Sequence, residues 1–209
     1  PVVLHGGSGS LDNLLDDAVI HRDMLMTVPQ LYMEVFVVGD ASEEAAFAEM
    51  FVRAECFKSS SIETADLVVF TGGEDVNPAL YGKNRHETTM FHSARDEEDM
   101  LVYEKCLKLG IPMFGVCRGA QFLHVMNGGS LYQDVDHHNG KHQMYDRRAR
   151  QVIQNVSSVH HQMCRPNPEG GMEILGTSYA RSKMRWIDDK ICETGNVDDI
   201  EAFWYPDTI

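Results

Sequence analysis

The amino-acid sequence predicts a three-layer α/β fold with a doubly wound, mostly parallel β-sheet. Three observations lead to this prediction. From Met33 onward, short apolar runs alternate with segments of helical periodicity, as in sheets whose parallel strands are joined by helical crossovers. The apolar run 111–116 passes directly into a helix around Cys117. A length of 209 residues is sufficient for one such domain with a full core.

The individual elements are predicted from apolar periodicity and from residues that begin or end helices. Short apolar runs indicate buried strands, whereas apolar residues three and four positions apart indicate helices. Ser42 is placed to cap the first helix and Gly110 to end the second. The predicted strands are 33–38, 56–58, 66–70 and 111–116, and the predicted helices are 42–55, 96–109 and 120–126. The late segments 172–175, 178–182 and 200–205 alternate like antiparallel edge strands.

The first 32 residues show the weakest pattern. Glycine and serine dominate positions 5–10, and positions 11–26 show helical spacing. Such a loop before a helix can bind phosphate, but this one lacks the lysine of a P-loop and the spacing of a dinucleotide-binding motif. We therefore interpret residues 1–32 as an N-terminal extension of unclear role and residues 33–209 as the domain.

Composition narrows the classes of function. The formal net charge of −14 argues against a nucleic-acid-binding surface, and no apolar run is long enough to span a membrane. The five cysteines are an odd number without a Cys-x-x-Cys pair, which favours free thiols in a reducing compartment over disulfides. We expect a cytoplasmic protein that binds neither nucleic acid nor membrane.

Cys117 is the strongest candidate for a catalytic residue. It lies between a predicted strand and a predicted helix, with Gly115 and Gly119 two residues away on either side. This is the pattern of a nucleophile elbow, in which glycines permit a strained turn and a close backbone approach. The positive end of the helix dipole favours the thiolate, and the backbone N–H after the cysteine can bind an oxyanion. A buried structural cysteine is the alternative, and the flanking glycines argue against it.

The segment GVCRGAQFLHVMNGGSLYQDV resembles the nucleophile segment of class I glutamine amidotransferase-like proteins. Within them it is most similar to the branch of γ-glutamyl hydrolases, of the peptidase C26 type, that includes the γ-glutamyl-γ-aminobutyrate hydrolases. Arg118 and the run 128–134 fit this branch, because biosynthetic amidotransferases more often carry an apolar residue where Arg118 stands. The resemblance implies a flavodoxin-like fold with Cys117 as the nucleophile.

The segment TGGEDVNPALYG, which follows the predicted strand 66–70, also matches this branch. The resemblance implies that the backbone amides of Gly73 and Arg118 form the oxyanion hole. It also implies that Gly72 and Gln121 contribute to substrate binding. On residue types alone, the two glycines would be interpreted as an ordinary turn.

The segment SSVHHQ is the third match to the family. The resemblance implies that His160 takes part in catalysis and that His161 and Gln162 line the substrate pocket. Without the resemblance, two surface or hydrogen-bonded histidines would be the favoured interpretation.

The polar segment 134–142 contains several side chains of the kinds that bind metals. Their spacing matches no recognised zinc motif, so a solvated loop is the expected structure and no metal site is predicted. The potential ligands are Asp134, Asp136, His137, His138 and His142.

The family pairs its cysteine with a histidine base and a glutamate in a C-terminal His-Pro-Glu motif, which this sequence does not contain. Three explanations are compatible with this. The natural chain continues past Ile209 to the motif, His160 or His161 serves as the base with a different third partner, or the chain binds ligand without turning it over. We expect the first, because the resemblance is otherwise continuous from Met33 to Tyr205.

The reaction that the resemblance implies is hydrolysis of a γ-glutamyl amide through a γ-glutamyl thioester, with glutamine or a γ-glutamyl-amine conjugate as substrate. No cofactor is expected, since thioester chemistry requires none. Two alternatives stay open. One is a glutaminase subunit that supplies ammonia to a synthetase partner, and the other is a catalytically inactive binding protein of the same fold. The sequence does not indicate an oligomeric state.

Overall fold

The computed structural model describes residues 2–4, 32–39, 47, 54–179, 181–192 and 198–208. The predicted helix over 11–26 lies outside these residues, as does the glycine-rich segment 5–10. Of the predicted helix over 42–55, only Phe47, Ala54 and Glu55 lie within them. The helices are α1 (Ser93–Leu109) and α2 (Arg118–Met126). The strands are β1 (Val2–Leu4), β2 (Glu34–Val38), β3 (Phe57–Lys58), β4 (Leu67–Phe70), β5 (Met113–Val116), β6 (Leu131–Tyr132), β7 (Asp134–Val135), β8 (Asn139–Asp146), β9 (Gln151–Val159), β10 (Met163–Cys164), β11 (Glu173–Ser178), β12 (Arg185–Ile187), β13 (Lys190–Cys192) and β14 (Asp199–Trp204).

Nine of these strands form one sheet in the order β3-β2-β4-β5-β1-β14-β11-β8-β9. The pairs from β3 to β1 are parallel, and the pairs from β1 to β9 are antiparallel. Cys117 follows β5, so it lies at the carboxyl edge of the parallel half, where α/β sheets bind ligands.

Apolar side chains pack on both faces of the parallel half, because its strands present successive residues to opposite sides. On one face Val35, Val37 and Val69 form a cluster. On the other face Phe70 packs with Phe122 of α2 in the main core. This arrangement explains the continuous apolar runs in the sequence, and it agrees with the predicted flavodoxin-like α/β fold. No helix among the described residues is long and apolar enough to cross a membrane.

The structure confirms the four predicted strands 33–38, 56–58, 66–70 and 111–116 as β2 to β5. It also confirms the predicted helices 96–109 and 120–126 as α1 and α2, with bounds shifted by a few residues. Other expectations were wrong. The segment 134–142 is not a solvated loop, because it includes β7 and the start of β8. The segment 200–205 is not an edge strand, since β14 pairs on both sides. Of the described residues in the segment 178–182, only Ser178 belongs to a strand, because β11 ends there.

Val2–Leu4, from the segment interpreted as an extension, forms β1 in the middle of this sheet. It pairs in parallel with β5 and antiparallel with β14. These three residues therefore join the parallel and antiparallel halves of the sheet.

A buried histidine connects α2 to the end of β14. The Nδ1 atom of His124 lies 2.8 Å from the Tyr205 hydroxyl, and its Nε2 lies 3.0 Å from the carbonyl oxygen of Ser130. A neutral ring satisfies both partners, because Nε2–H donates to the carbonyl and Nδ1 accepts from the hydroxyl. Burial lowers the pKa of His124 to about 4. The native protein therefore holds this ring uncharged.

The free energy of unfolding should fall as the pH drops below 6.5, the ordinary His pKa. In this range His124 binds a proton in the unfolded chain but stays neutral in the native protein. By linkage the full loss is about 3 kcal/mol, complete only below the native pKa. Urea unfolding between pH 7.5 and pH 4.5, a span of roughly three units around that titration, measures it. His124→Gln should weaken this pH dependence, while the variant of exposed His92, His92→Gln, should keep it. An unchanged pH dependence in His124→Gln would contradict the prediction.

Candidate active site

Cys117 occupies a sharp turn between β5 and α2. Its φ of 53° and ψ of −115° lie in a region that side-chain-bearing residues rarely adopt. A Cβ on Gly115 would lie 2.5 Å from the backbone of Gly119, and a Cβ on Gly119 would lie 2.1 Å from the carbonyl oxygen of Phe70. Glycine is therefore required on both sides of Cys117, because helix α2 approaches the backbone of β4 and β5 at these two points. The Cys117 side chain itself is half-buried.

The two glycines after β4 lie beside this turn. The amide of Gly119 donates to the carbonyl of Thr71 at 2.9 Å, which fixes the end of β4 against the start of α2. Gly73 is exposed and has a φ of 135°, a conformation that only glycine adopts readily. A Cβ on Gly73 would lie 3.5 Å from Cδ of Arg118, so these two residues are neighbours. The amide of Arg118 is the first of α2 and has no acceptor within the helix.

The Arg118 side chain points into the protein, where it is 2% exposed. Its guanidinium donates to Asp96 at 2.6 Å and also contacts Asp99, both on α1. Asp99 in addition accepts from Arg95 at 2.9 Å. A buried guanidinium is tolerated only when carboxylates offset its charge, so this network fixes the position of α1 relative to the elbow.

Asp96 extends the network to the segment that follows the two glycines. Its second carboxylate oxygen accepts from the amide of Asn77 at 3.2 Å. Burial raises the pKa of Asp96, and the Arg118 guanidinium beside it opposes that shift. Arg118 thus stabilises the ionised carboxylate that holds both Asn77 and the start of α2.

His160 and Gln162 are connected to α2 through a single carbonyl oxygen. The carbonyl of Gln162 lies 2.8 Å from Nδ1 of His160 and accepts from Nε2 of Gln121 at 3.1 Å. Gln121 is one helical turn after Cys117, so this carbonyl places His160 on the same side of the fold as the elbow. The Gln162 side chain is buried and donates to the Thr89 hydroxyl at 3.2 Å. Gln121 is itself 2% exposed and holds Gln162 in place.

His160 is neutral at physiological pH. Burial, together with the positive charge of the neighbouring His138, lowers the pKa of His160 to about 4. The centroids of the His138 and His160 rings lie 4.8 Å apart. Burial alone would lower the pKa of His138 as well, but the carboxylates of Asp199 and Glu201 raise it to about 9. Because His160 Nδ1 faces a carbonyl oxygen, the proton of its neutral ring is on Nδ1 and the lone pair is on Nε2.

His161 takes a different position from His160. Its Nδ1 lies 3.1 Å from Asp134 and its Nε2 lies 3.2 Å from Asp75, which follows the two glycines. The hydrogen bond with Asp75 raises the pKa of His161, although burial opposes this. His161 therefore bridges the glycine segment and β7.

The structure brings the elbow, the glycine segment and His160 to one region, and it adds residues that the sequence interpretation missed. In the sequence, Asp96 and Asp99 had no assigned role beyond their place in the predicted helix 96–109. Arg118 lies between two buried elements, so its charge requires buried carboxylates. The sequence signal for them was the pair of acidic residues three positions apart on the preceding helix. Glu201 was recognised only as part of a late strand, and its histidine contacts had no signal in the sequence.

Comparison with known proteins places this arrangement in a family. The peptidase C26 family model matches residues 29–178, well over half of the chain. The chain belongs to the peptidase C26 family. This confirms the predicted position in the class I glutamine amidotransferase-like superfamily, near the γ-glutamyl hydrolase branch.

Individual relatives of this peptidase C26 chain match about a third of it. A glutamine amidotransferase-like protein of Lactococcus lactis subsp. cremoris, the YvdE homologue, is 42% identical over 71 residues, which are 34% of this chain and 38% of that protein. The γ-glutamyl-γ-aminobutyrate hydrolase PuuD of Escherichia coli K12 is 41% identical over 61 residues, 29% of this chain and 24% of that protein. The chain thus spans well under half the length of these curated relatives.

One solved structure supports the fold. A glutamine amidotransferase from Thermotoga maritima superposes with a TM-score of 0.53 at 15% identity, over 77% of this chain and 74% of that one. The arrangement of strands and helices is therefore shared, whereas so low an identity says nothing about shared chemistry.

Gly119→Ala should destabilise the fold far more than Gly128→Ala. The added methyl group at position 119 meets the backbone of β4 at 2.1 Å, whereas nothing lies within 4 Å of the one at position 128. We expect a loss of about 3 kcal/mol or more for Gly119→Ala. For Gly128→Ala we expect about 1–2 kcal/mol, because its φ of 76° strains any side-chain-bearing residue. Urea unfolding measures both, and equal losses would refute the explanation by close approach.

Arg118→Met should lower the free energy of unfolding by about 3–5 kcal/mol, because it leaves two buried carboxylates without their counter-charge. Arg118→Lys should also destabilise, since an ammonium group lacks the fork that contacts both aspartates. The control is Lys108→Met, which removes an exposed ion pair with Glu104 at 3.9 Å and should have no measurable effect. Denaturant unfolding compares the three variants. An Arg118→Met protein of wild-type stability would show that the network does not stabilise the fold.

Proposed function

We propose that this chain is a cysteine-dependent γ-glutamyl amide hydrolase that acts through a γ-glutamyl thioester, with Cys117 as the nucleophile. The substrate class is glutamine or a γ-glutamyl-amine conjugate. The observation that carries the proposal is the junction at Cys117. There a half-buried thiol in a strained turn lies next to Arg118, whose side chain is a neighbour of Gly73. A strand-to-helix turn of this kind exposes a nucleophile and places free backbone amides beside it.

The first chemical step is attack of the Cys117 thiolate on the γ-carbonyl carbon of the substrate. The C–S bond forms while the carbonyl electron pair moves onto oxygen, which gives a tetrahedral oxyanion. The amides of Gly73 and Arg118 donate to this oxyanion, and such fixed donors stabilise it without having to reorient. Arg118 contributes through its backbone, because its side chain is held by Asp96 and Asp99.

Collapse of the intermediate breaks the C–N bond and releases the amine, which must receive a proton. His160 is the candidate for this proton transfer. Its neutral ring has a lone pair on Nε2, which can accept the proton of the thiol as the C–S bond forms and then donate it to the departing amine. Water then cleaves the γ-glutamyl thioester, releasing glutamate and regenerating the thiol.

The family supports the choice of substrate class. One relative is by name a γ-glutamyl-γ-aminobutyrate hydrolase, and its similarity extends over 61 residues. The acidic composition of the chain, with a net charge of −14, is compatible with a small-molecule substrate and unfavourable for nucleic acid. Gly72 and Gln162, next to the proposed oxyanion donors and His160, are candidates for contacting the glutamyl group, and Gln121 and His161 for holding them in place.

A chloroketone analogue of glutamine should add once per chain, at Cys117. Intact-mass spectrometry gives the stoichiometry, and peptide mapping gives the modified residue. Cys117→Ser should remove the adduct, because a hydroxyl without a thiolate's nucleophilicity does not displace the chloride. Cys56→Ser is the matched control, since Cys56 is also half-buried but lies away from the elbow, and it should react as the wild type does.

Selectivity for the substrate class is tested by competition. Excess glutamine or a γ-glutamyl amine should slow the modification of Cys117, whereas asparagine, one methylene shorter, should not. Absence of an adduct, or an adduct that survives Cys117→Ser, would refute the proposed nucleophile.

A further inference from the structure

We propose that His138, His142 and Glu201 bind a divalent transition-metal ion, with Zn²⁺ as the best match. The site borders the proposed proton-transfer group, because the ring centroids of His138 and His160 lie 4.8 Å apart, but none of its three ligands takes part in the proposed thiol chemistry. The three side chains come from the segment before β8, from β8 itself and from β14. Each offers one ligand atom, and these three atoms lie within 4.8 Å of one another in a fully buried position.

The two histidines contact the same carboxylate of Glu201, at distances close to those between ligands of one ion. Nε2 of His138 lies 3.3 Å from Oε1 of Glu201, and Nε2 of His142 lies 2.9 Å from the same oxygen. Ligands bound at about 2.0–2.1 Å in a tetrahedral zinc site are roughly 3.3 Å apart. Small side-chain movements would therefore bring the three ligand atoms around a common centre.

The hydrogen bonds of His138 prepare its Nε2 for a metal. The Ser158 hydroxyl donates its only proton to the His138 carbonyl oxygen at 2.5 Å. Its oxygen, 2.9 Å from Nδ1 of His138, must then accept from that nitrogen. The Nδ1–H is thus committed to Ser158. A bound ion would therefore displace the second proton of the charged His138 ring from Nε2, and the lone pair that results faces Glu201. Metal-binding histidines are oriented in this way by a partner of their other ring nitrogen.

Three buried polar atoms of the same cluster have no hydrogen-bond partner among the described residues. They are Oε2 of Glu201, Nδ1 of His142 and Nε2 of His138, the last lying 3.3 Å from Oε1 of Glu201. The Glu201 side chain is 1% exposed, and its other oxygen already accepts from the Ser178 hydroxyl at 2.6 Å. An ionised carboxylate oxygen can only accept, so the unpartnered atom calls for a cation or a proton donor.

The donor set selects the kind of ion. Two imidazoles and one carboxylate suit Zn²⁺ and its first-row neighbours, whereas Ca²⁺ and Mg²⁺ prefer sites built mainly from oxygen. Asp199 lies close, with Oδ2 3.4 Å from Nε2 of His138, but it is already engaged by the amide of Ser182 and by Arg185. Three protein ligands therefore leave one coordination position open.

Co²⁺, a spectroscopic substitute for Zn²⁺, tests the site directly. Because the site is buried, the whole chain is first unfolded in urea with a chelator. The chelator is then removed, and the chain is refolded in the presence of Co²⁺. We expect one Co²⁺ per chain, with visible absorption bands of nitrogen and oxygen ligation. Zn²⁺ should displace the Co²⁺ and raise the melting temperature. Thiolate ligation would instead produce an intense near-ultraviolet charge-transfer band.

Variants identify the ligands. His142→Gln and Glu201→Gln should each weaken Co²⁺ binding by at least tenfold and abolish the effect of Zn²⁺ on the melting temperature. His137→Gln is the matched control, since His137 is next to His138 in the chain but 59% exposed and paired with Asp136, and it should bind as the wild type does.

The Co²⁺ absorption spectrum of the wild-type chain tests the proposal even if a variant fails to fold. No saturable Co²⁺ binding by the wild-type chain would overturn the proposal and identify the cluster as a proton-bridged ion-pair network. A thiolate charge-transfer band would overturn it equally, because the ion would then be bound by a cysteine. Undiminished binding in a folded His142→Gln protein would have the same consequence.

Discussion

The buried ion network of Arg118 is the interaction on which the geometry of the elbow depends. A guanidinium removed from water is costly unless carboxylates surround it, so α1 must pack where Asp96 and Asp99 reach Arg118. Since Arg118 directly follows Cys117, fixing its side chain also fixes the backbone amide beside the thiol. Through Asp96 and Asn77 the same network reaches the segment after Gly73. One buried charge thus coordinates three parts of the chain around the thiol.

Close backbone packing explains why strain is tolerated at Cys117. Helix α2 approaches β4 and β5 so nearly that neither Gly115 nor Gly119 has room for a methyl group. The unusual φ and ψ of Cys117 are stabilised by these contacts and by the Arg118 network, since a strained residue persists only where its surroundings fix it. The site is therefore formed largely by the backbone, and the side chains of Arg118 and Gln121 serve to hold it.

Sequence patterns sufficed for the parts of the fold that are specified locally. The apolar run before Cys117, the flanking glycines and the Gly-Gly after β4 each reflect a requirement of nearby backbone, so they could be interpreted without long-range contacts. His138 and His142 could not, because strand β8 contains so many polar residues that it resembles a loop. Their burial depends on Glu201, 59 residues after His142. Likewise, strand β5 separates Arg118 from its partners on α1. The acidic residues of α1 could equally be explained as residues that favour the start of a helix.

Two buried charged clusters lie near the elbow, and their hydrogen bonds distinguish their roles. In the Arg118 cluster all four carboxylate oxygens of Asp96 and Asp99 have partners, from Arg118, Arg95 and the amide of Asn77. Such a cluster is complete and has no capacity for a ligand. In the cluster around Glu201, one carboxylate oxygen and a ring nitrogen each of His138 and His142 have no hydrogen-bond partner within the described part of the chain. A buried acceptor without a hydrogen bond lowers the free energy of unfolding. Such an atom in the Glu201 cluster is therefore better explained by a bound ligand than by a contribution to stability. The first cluster therefore stabilises the proposed catalytic turn, and the second is the one suited to binding an ion.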